Sequence, residues 1–178
     1  MRRVVLRYAR IATSAGVALW ATLITLGNVV DYGSNFEFVR HVMSMDTTFP
    51  GNRLMGRAIM ATWLHHAAYW LIIAVEGTVA VLCWCGAVLL YRARREPRLA
   101  SRGRDVTACG YLLAILLWFV GFMVIGGEWF AMWQSGTWNG IDAAFRVVTL
   151  VTLFLILLYL PDGDGTAGRA GPPAPPEK

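Results

Sequence analysis

An all-α fold, a four-helix transmembrane bundle with a short outer amphipathic helix and both termini cytoplasmic, is the class this sequence predicts. Three observations predict it. Charged residues make up 15% of a chain that is 57% hydrophobic with a mean hydropathy of +0.52, whereas a soluble domain carries nearer a quarter charged. Four apolar stretches reach or approach the roughly 20 residues that a helix needs to cross hydrocarbon. The arginines also collect in alternate loops. Together these exclude a soluble enzyme, a disordered chain and a nucleic-acid module, and they make the lipid bilayer the first partner. A length of 178 residues fits one membrane domain.

The first span, Ile11–Val30, follows Arg2, Arg3, Arg7 and Arg10. No small-residue cleavage site clearly follows it, so it reads as an uncleaved anchor ahead of a signal peptide. In the loop Asp31–Trp63, Phe36, Val39 and Met43 recur at helical spacing with Phe38 and Val42 beside them. That spacing predicts a short amphipathic helix against the membrane surface, broken by Pro50 and Gly51. The second span is Ala68–Tyr91, its apolar run beginning near Trp63, and the third is Val106–Ile125. A second outer loop, Gly126–Asp142, contains GGEWFAMWQSGTWNG, and the last span is Ala143–Leu160. The two outer loops are expected to form a cap over the bundle. Residues 1–161 form the membrane domain. From Asp162 the chain turns to Gly, Pro and Ala, which predicts a disordered cytoplasmic tail over 162–178.

Basic residues set the direction. Four arginines precede the first span, and the loop Arg92–Asp105 holds Arg92, Arg94, Arg95, Arg98, Arg102 and Arg104. The loop Asp31–Trp63 holds three, and Gly126–Asp142 holds none. The positive-inside rule makes the arginine-rich side cytoplasmic, and topology explains these residues ahead of an anionic-lipid patch. Trp63, Trp70, Trp129, Trp133 and Trp138 fall near the opposite ends of the spans, where an aromatic belt belongs.

Ionisable residues inside a span are expensive, which makes each a candidate for function. Glu76 lies sixteen residues before Arg92 and Arg146 sixteen before Asp162, hence each about 24 Å up its helix. Asn28 lies about 27 Å up the first span. These three, with Tyr69, form the expected intramembrane polar cluster, in which a Glu76–Arg146 pair would relieve both charges. His65, Tyr69, Glu76 and Cys83 share one stripe, and Asp142, four before Arg146, competes for it. A buried pair that only fixes helix register is the competing reading. His41, His65, His66, Glu128, Trp129, Trp133, Trp138 and Asn139 are the candidate binding residues of the outer face.

No motif specifies a cofactor. His41, Met43 and Met45 form a His-x-Met-x-Met run with ligands that suit soft copper. Residues two apart diverge on a helix, however, so packing methionines are the preferred reading. His41, His65 and His66 are not obviously opposed as haem ligands would be. Cys83 and Cys85 face opposite ways, and the small residues Gly16, Gly110, Gly121 and Gly126 favour close helix approach. Ser44 with Asp46 and His41 lacks an oxyanion donor, and no phosphate-loop, metalloprotease or nucleophile-elbow motif is present.

The segments NFEFVRHVMSMDTTFP and GGEWFAMWQSGTWNG, with His66, Glu76 and Ala144–Arg146, resemble the family of predicted small integral membrane proteins called domain of unknown function 2165. The resemblance covers roughly residues 5–160. It implies a bacterial multi-span membrane protein and transfers no catalytic residue; the location expected is the bacterial inner membrane. The function expected is a non-enzymatic binding or accessory subunit, with a ligand, a partner membrane protein or a second copy at its outer face. A proton-coupled transporter using Glu76 is the alternative, and a haem- or metal-binding redox protein comes last.

Overall fold

The computed structural model describes residues 2–161; the tail expected over 162–178 lies outside them. Helix α1 (Arg2–Val30) buries Arg10, Ser14, Val17, Ala21 and Asn28 along one stripe, at three-, four- and seven-residue steps. Its other faces present leucines and valines outward, as lipid requires. Helix α3 (Thr62–Arg92) runs back beside it and buries His65, Tyr69, Ile73, Glu76, Ala80, Cys83, Ala87 and Leu90. Helix α4 spans Leu99–Ile115 and continues as a π-helix over Leu116–Trp129, so the third crossing is one unbroken rod. Helix α5 (Ile141–Tyr159) turns Ala144, Val151 and Leu158 inward, seven apart. All four are long and apolar enough to cross a bilayer. No strand occurs among the described residues, and the four rods begin two to nine residues before the expected spans, with α1 ending at the expected Val30 and α5 one residue short of Leu160.

Small residues set how closely the rods approach. A Cβ on Gly86 would stand 2.1 Å from Thr107 Oγ1 and 2.9 Å from the Thr107 backbone nitrogen. One on Gly110 would stand 2.7 Å from Cys83 Sγ. With α3 and α4 that close, Ser14 of α1 donates from Oγ to the Cys83 carbonyl (2.9 Å) and meets Thr107 Oγ1 at 3.2 Å. Three helices are thereby tied by one buried hydroxyl knot, the polar glue of membrane bundles. Around it pack Ala18, Val79, Ala80, Tyr111, Ala114 and Val151. Three of the four expected glycine contacts differ. A Cβ on Gly16 would meet nothing within 4 Å, one on Gly121 would meet only Leu117 of its own helix, and Gly126 abuts Met132 of the cap instead of a neighbouring span. Cys83 is buried and Cys85 exposed, as their spacing required.

The chain turns at Asp31 and returns as helix α2 (Tyr32–Ser44). This is the expected amphipathic helix, but it folds over the end of the bundle. Its apolar face buries Val39 and Val42, and Phe36 stacks on His66 at 4.1 Å. Met45, in the left-handed region at φ 54, ends it. The two connecting loops then knit together. Thr47 Oγ1 donates to Ser135 Oγ (2.8 Å), the Phe49 amide donates to Gln134 Oε1 (3.1 Å), and Arg57 stacks on Trp129. Met45, Phe130, Ala131 and Met132 make a small core of their own with Val42. The expected cap is therefore an ordered layer.

A methyl group at Gly86 meets backbone, which cannot rotate away. Gly86→Ala is expected to destabilise the bundle by about 1–3 kcal/mol, while Gly16→Ala leaves it unchanged or slightly more stable. SDS-titrated unfolding in mixed micelles measures both. Equal responses at the two positions would refute the close-approach account.

Candidate functional site

Beneath the cap, α1, α2 and α3 converge on one carboxylate. Glu76 is 5% exposed and Asn28 is 6% exposed. Asn28 Nδ2 donates to Glu76 Oε2 at 2.7 Å, and Asn35 of α2 donates from Nδ2 to Asn28 Oδ1, also at 2.7 Å. Tyr69 Oη, seven residues and so two turns from Glu76 on the same stripe, donates to the Asn28 carbonyl (3.3 Å). The three expected members Asn28, Tyr69 and Glu76 are thus brought together, and Asn35 joins them.

Arg146 is not with them. It is exposed on the outside of α5, where its Nε donates to the Asp142 carbonyl at 3.2 Å, beside Gly16, Val17 and Trp20. The expected Glu76–Arg146 pair is therefore corrected, for two physical reasons. Residue 146 lies two positions from the buried Ala144, which turns it to the opposite side of the helix. Its side chain also leans toward the N-terminus of α5, where Nε bonds the Asp142 carbonyl, away from the level of Asn28 and Glu76 on α1 and α3. Among the described residues Glu76 has the amide of Asn28 as its hydrogen-bond partner and no cation.

Glu76 opens on a cavity of about 210 Å³, lined also by Asn28 and Asn35 and walled by Phe38, Tyr69, Trp118 and Phe122. A second cavity of about 300 Å³ adjoins it through a shared wall of Phe38, Val39, Ile72 and Phe122. Its lining is apolar, with Val42, Met43, Leu117, Ile125 and Met132 among its residues. Trp118 stacks on Phe122 at 4.5 Å, and Phe122 on Phe38 at 6.1 Å, so the dividing wall is an aromatic series. The π-helical turns supply much of the second chamber through Leu117, Gly121, Phe122, Ile125 and Gly126.

The histidines each serve the cap. An arginine can only donate, so His41 Nε2 accepts from Arg40 (2.7 Å) and His41 Nδ1 donates to Asp46 (2.8 Å). His41 also stacks on Trp138 at 4.6 Å. Beside it, the hydrogen bond and charge of Arg40 hold the Glu37 carboxyl below its ordinary value of 4.5. His65 Nε2 donates to the Ile59 carbonyl (2.7 Å), clamping the loop onto α3, and His66 Nδ1 pairs with Tyr32 Oη (2.8 Å). Three different partners hold three rings apart. Met45 is buried in the cap core, away from the copper-like run expected of it. Among the described residues no group of three His, Cys, Asp or Glu is placed to hold a metal.

The remaining outer-face residues divide between rim and cap. Trp129 and Trp133 are exposed at the rim, the former under Arg57 and the latter edge-on to Phe49. Glu128 is exposed beside Trp129. Trp138 is half-buried within the cap, and Asn139 Oδ1 accepts from the Ile141 amide at the start of α5. Asn35, Phe38, Trp118 and Phe122 are the lining residues that sequence reasoning missed. The interval of seven between Asn28 and Asn35 was a usable signal, hidden by the turn at Asp31.

Four apolar helices, a buried polar cluster and an ordered cap define a small multi-pass integral membrane protein. The chain belongs to the family of predicted small integral membrane proteins, domain of unknown function 2165, whose family model matches residues 6–161. No curated protein and no solved structure matches it.

The hydrogen-bond pattern makes a coupling prediction. Asn28→Leu is expected to cost about 1–3 kcal/mol, because a buried carboxyl group loses its donor, and adding Glu76→Leu recovers part of that loss. Arg146→Met and Glu76→Leu, in contrast, should be additive within about 0.5 kcal/mol. A double-mutant cycle in SDS-titrated micelles reads both; coupling of Glu76 to Arg146 and none to Asn28 would reverse the assignment.

Proposed function

We propose that the protein is a non-enzymatic ligand-binding membrane protein that holds a small amphiphile beneath its cap. In this reading it lies in a bacterial inner membrane, with the cap outside and both termini cytoplasmic. The placement of ten arginines at the end opposite the cap supports the orientation.

One observation carries the ligand class. A carboxylate buried in hydrocarbon needs a counter-ion or a proton, and Glu76 has no cation among the described residues. A protonated amine supplies the missing charge. The four aromatic side chains around the carboxylate favour a cation by cation–π attraction, and the two asparagines offer amide acceptors and donors. An alkyl or aryl tail then occupies the adjoining apolar chamber, whose wall Phe38, Val39, Ile72 and Phe122 is shared. The reading is therefore of a lipophilic amine, head on Glu76 and tail against the π-helical turns.

The same missing counter-ion supports a second reading, in which Glu76 is the titrating group of a proton-coupled carrier. Four helices without a broken segment at the site make this less favoured.

Dodecylamine, dodecanol and dodecanoate, titrated by calorimetry into the full chain in neutral-lipid nanodiscs, test the ligand class. Dodecylamine should bind at least about tenfold tighter than dodecanol, about 1.4 kcal/mol, with dodecanoate weakest. Glu76→Gln should erase the difference between amine and alcohol while the protein stays folded. A preference that survives the substitution, or equal binding of all three, would overturn the proposal. Proton-driven amine uptake into liposomes that is abolished by Glu76→Gln would favour the carrier.

A further inference from the structure

The end of the bundle opposite the cap carries a second hollow, of about 430 Å³, walled by Arg3, Arg7, Arg10, Arg94 and Arg104 with Leu90, Ala93, Pro97 and Ala100. Among the described residues its lining holds five arginines and no acid. The volume lies within the range of ordinary ligand pockets, about 300–1,000 Å³. Three separate elements supply the guanidinium groups. Arg3, Arg7 and Arg10 share a face of α1 at steps of four and three, Arg94 comes from the turn after α3, and Arg104 from the second turn of α4.

Two features mark the hollow as built. Arg94 is fixed in place: its guanidinium carbon lies 3.6 Å from the centre of the Tyr91 ring, its Nη1 donates to Tyr8 Oη (3.1 Å) and its Nε donates to the Tyr91 carbonyl (3.2 Å). That tie spans α1 and the end of α3 and leaves the rest of the fork for a ligand. Pro97 and Ala100, at the start of α4, also form part of the wall, which adds the positive end of a helix dipole. Membrane orientation requires basic charge on one side of the bilayer, and it does not require that charge to be focused into one hollow. Arg92, Arg95, Arg98 and Arg102 provide orienting charge without lining the hollow, and Arg98 is paired with Glu96 at 3.1 Å.

We propose that this hollow binds a phosphate-bearing anion, with Arg7, Arg94 and Arg104 as its guanidinium forks. Planar guanidinium donors match phosphate oxygens in pairs, and the position between helix ends places the phosphate where an anionic phospholipid headgroup lies. A soluble phosphate compound has the same chemistry, and the experiment separates the two sources. The site is independent of the amine site beneath the cap, so either proposal stands if the other fails.

Native mass spectrometry of the full-length protein in a non-ionic detergent, titrated with phosphatidylglycerol or phosphatidylcholine, makes the test. Phosphatidylglycerol should bind at least tenfold tighter. Arg7→Gln with Arg94→Gln should erase the preference, whereas Arg95→Gln with Arg102→Gln, which removes equal charge from the same end, should keep it. Arg104→Gln, away from the Tyr8–Arg94 tie, should weaken it severalfold and serves if the first pair fails to fold. Millimolar inorganic phosphate that displaces the lipid supports the site and identifies the phosphate group itself as what is read; failure to displace identifies the intact lipid. Equal binding of the two lipids overturns the proposal. A preference lost equally in both double variants overturns it too, leaving diffuse charge.

Discussion

In hydrocarbon there is no water to satisfy a carboxyl group, so every hydrogen bond Glu76 makes must come from the protein or from something the protein holds. That constraint reaches most of the fold. Side chains lean toward the N-terminus of their own helix, so on the antiparallel α1 and α3 Asn28 and Glu76 lean toward each other, meeting at 2.7 Å. The meeting requires α1 and α3 to lie close along their length. Ala18 and Ala21 against Val79 and Ala80 allow this, and Ser14 on the Cys83 carbonyl fixes it a second time. Asn28 in turn needs its own oxygen satisfied, and the donor is Asn35, beyond the end of the helix. The chain therefore reverses at Asp31, and α2 has to lie over the bundle.

Once α2 is placed, the cap follows from ordinary packing. Phe36 stacks on His66 while Tyr32 bonds to the same ring, so one imidazole holds two turns of α2 against α3. What the cap covers is less tightly filled, and the π-helical stretch Leu116–Trp129 explains why. Its wider turns, with glycines at 121, 126 and 127, present a looser surface than the α-helical half, where Gly86 and Gly110 bring backbones into contact. Long π-helices are rare and occur most often at functional sites. Here the change of winding coincides with the change from close packing to cavity along the same rod.

The parts of this arrangement that were legible in the sequence are those governed by period and composition. Four apolar runs, the amphipathic helix and the stripe His65, Tyr69, Glu76 and Cys83 follow from spacing alone. Depth was also legible, since rise per residue is constant, but which side of α5 faces inward was not. Arg146 sits at the level of Glu76 by count, yet Ala144, Val151 and Leu158 mark the inward face of α5 at intervals of seven, and residue 146 falls off that face. The glycines show the same limit from the other side. Gly16 and Gly86 both stand among small and apolar residues, and only the partner helix distinguishes the open position from the one a methyl group cannot enter. The π-helix left no mark at all, because LLWFVGFMVIGGEW is apolar on every side and has no periodicity to be read.

A transporter needs a part that moves past a fixed site, and the distribution of contacts says where motion is cheap in this fold. The α1–α3–α4 core is pinned by the Ser14, Cys83 and Thr107 knot and by backbone contact at Gly86, so a rocking of one helix against the others would break buried hydrogen bonds in lipid. The walls that face the apolar chamber, by contrast, are side chains of the π-helical turns and of α2, joined mainly by aromatic stacking such as Phe38 on Phe122. Rings can slide or rotate without stranding a polar group. Access to Glu76 by displacement of that aromatic wall, from within the membrane and with the bundle rigid, suits capture and release of an amphiphile on one side. It does not suit alternating exposure across the bilayer, which is why binding is the more economical reading of a carboxylate held so firmly.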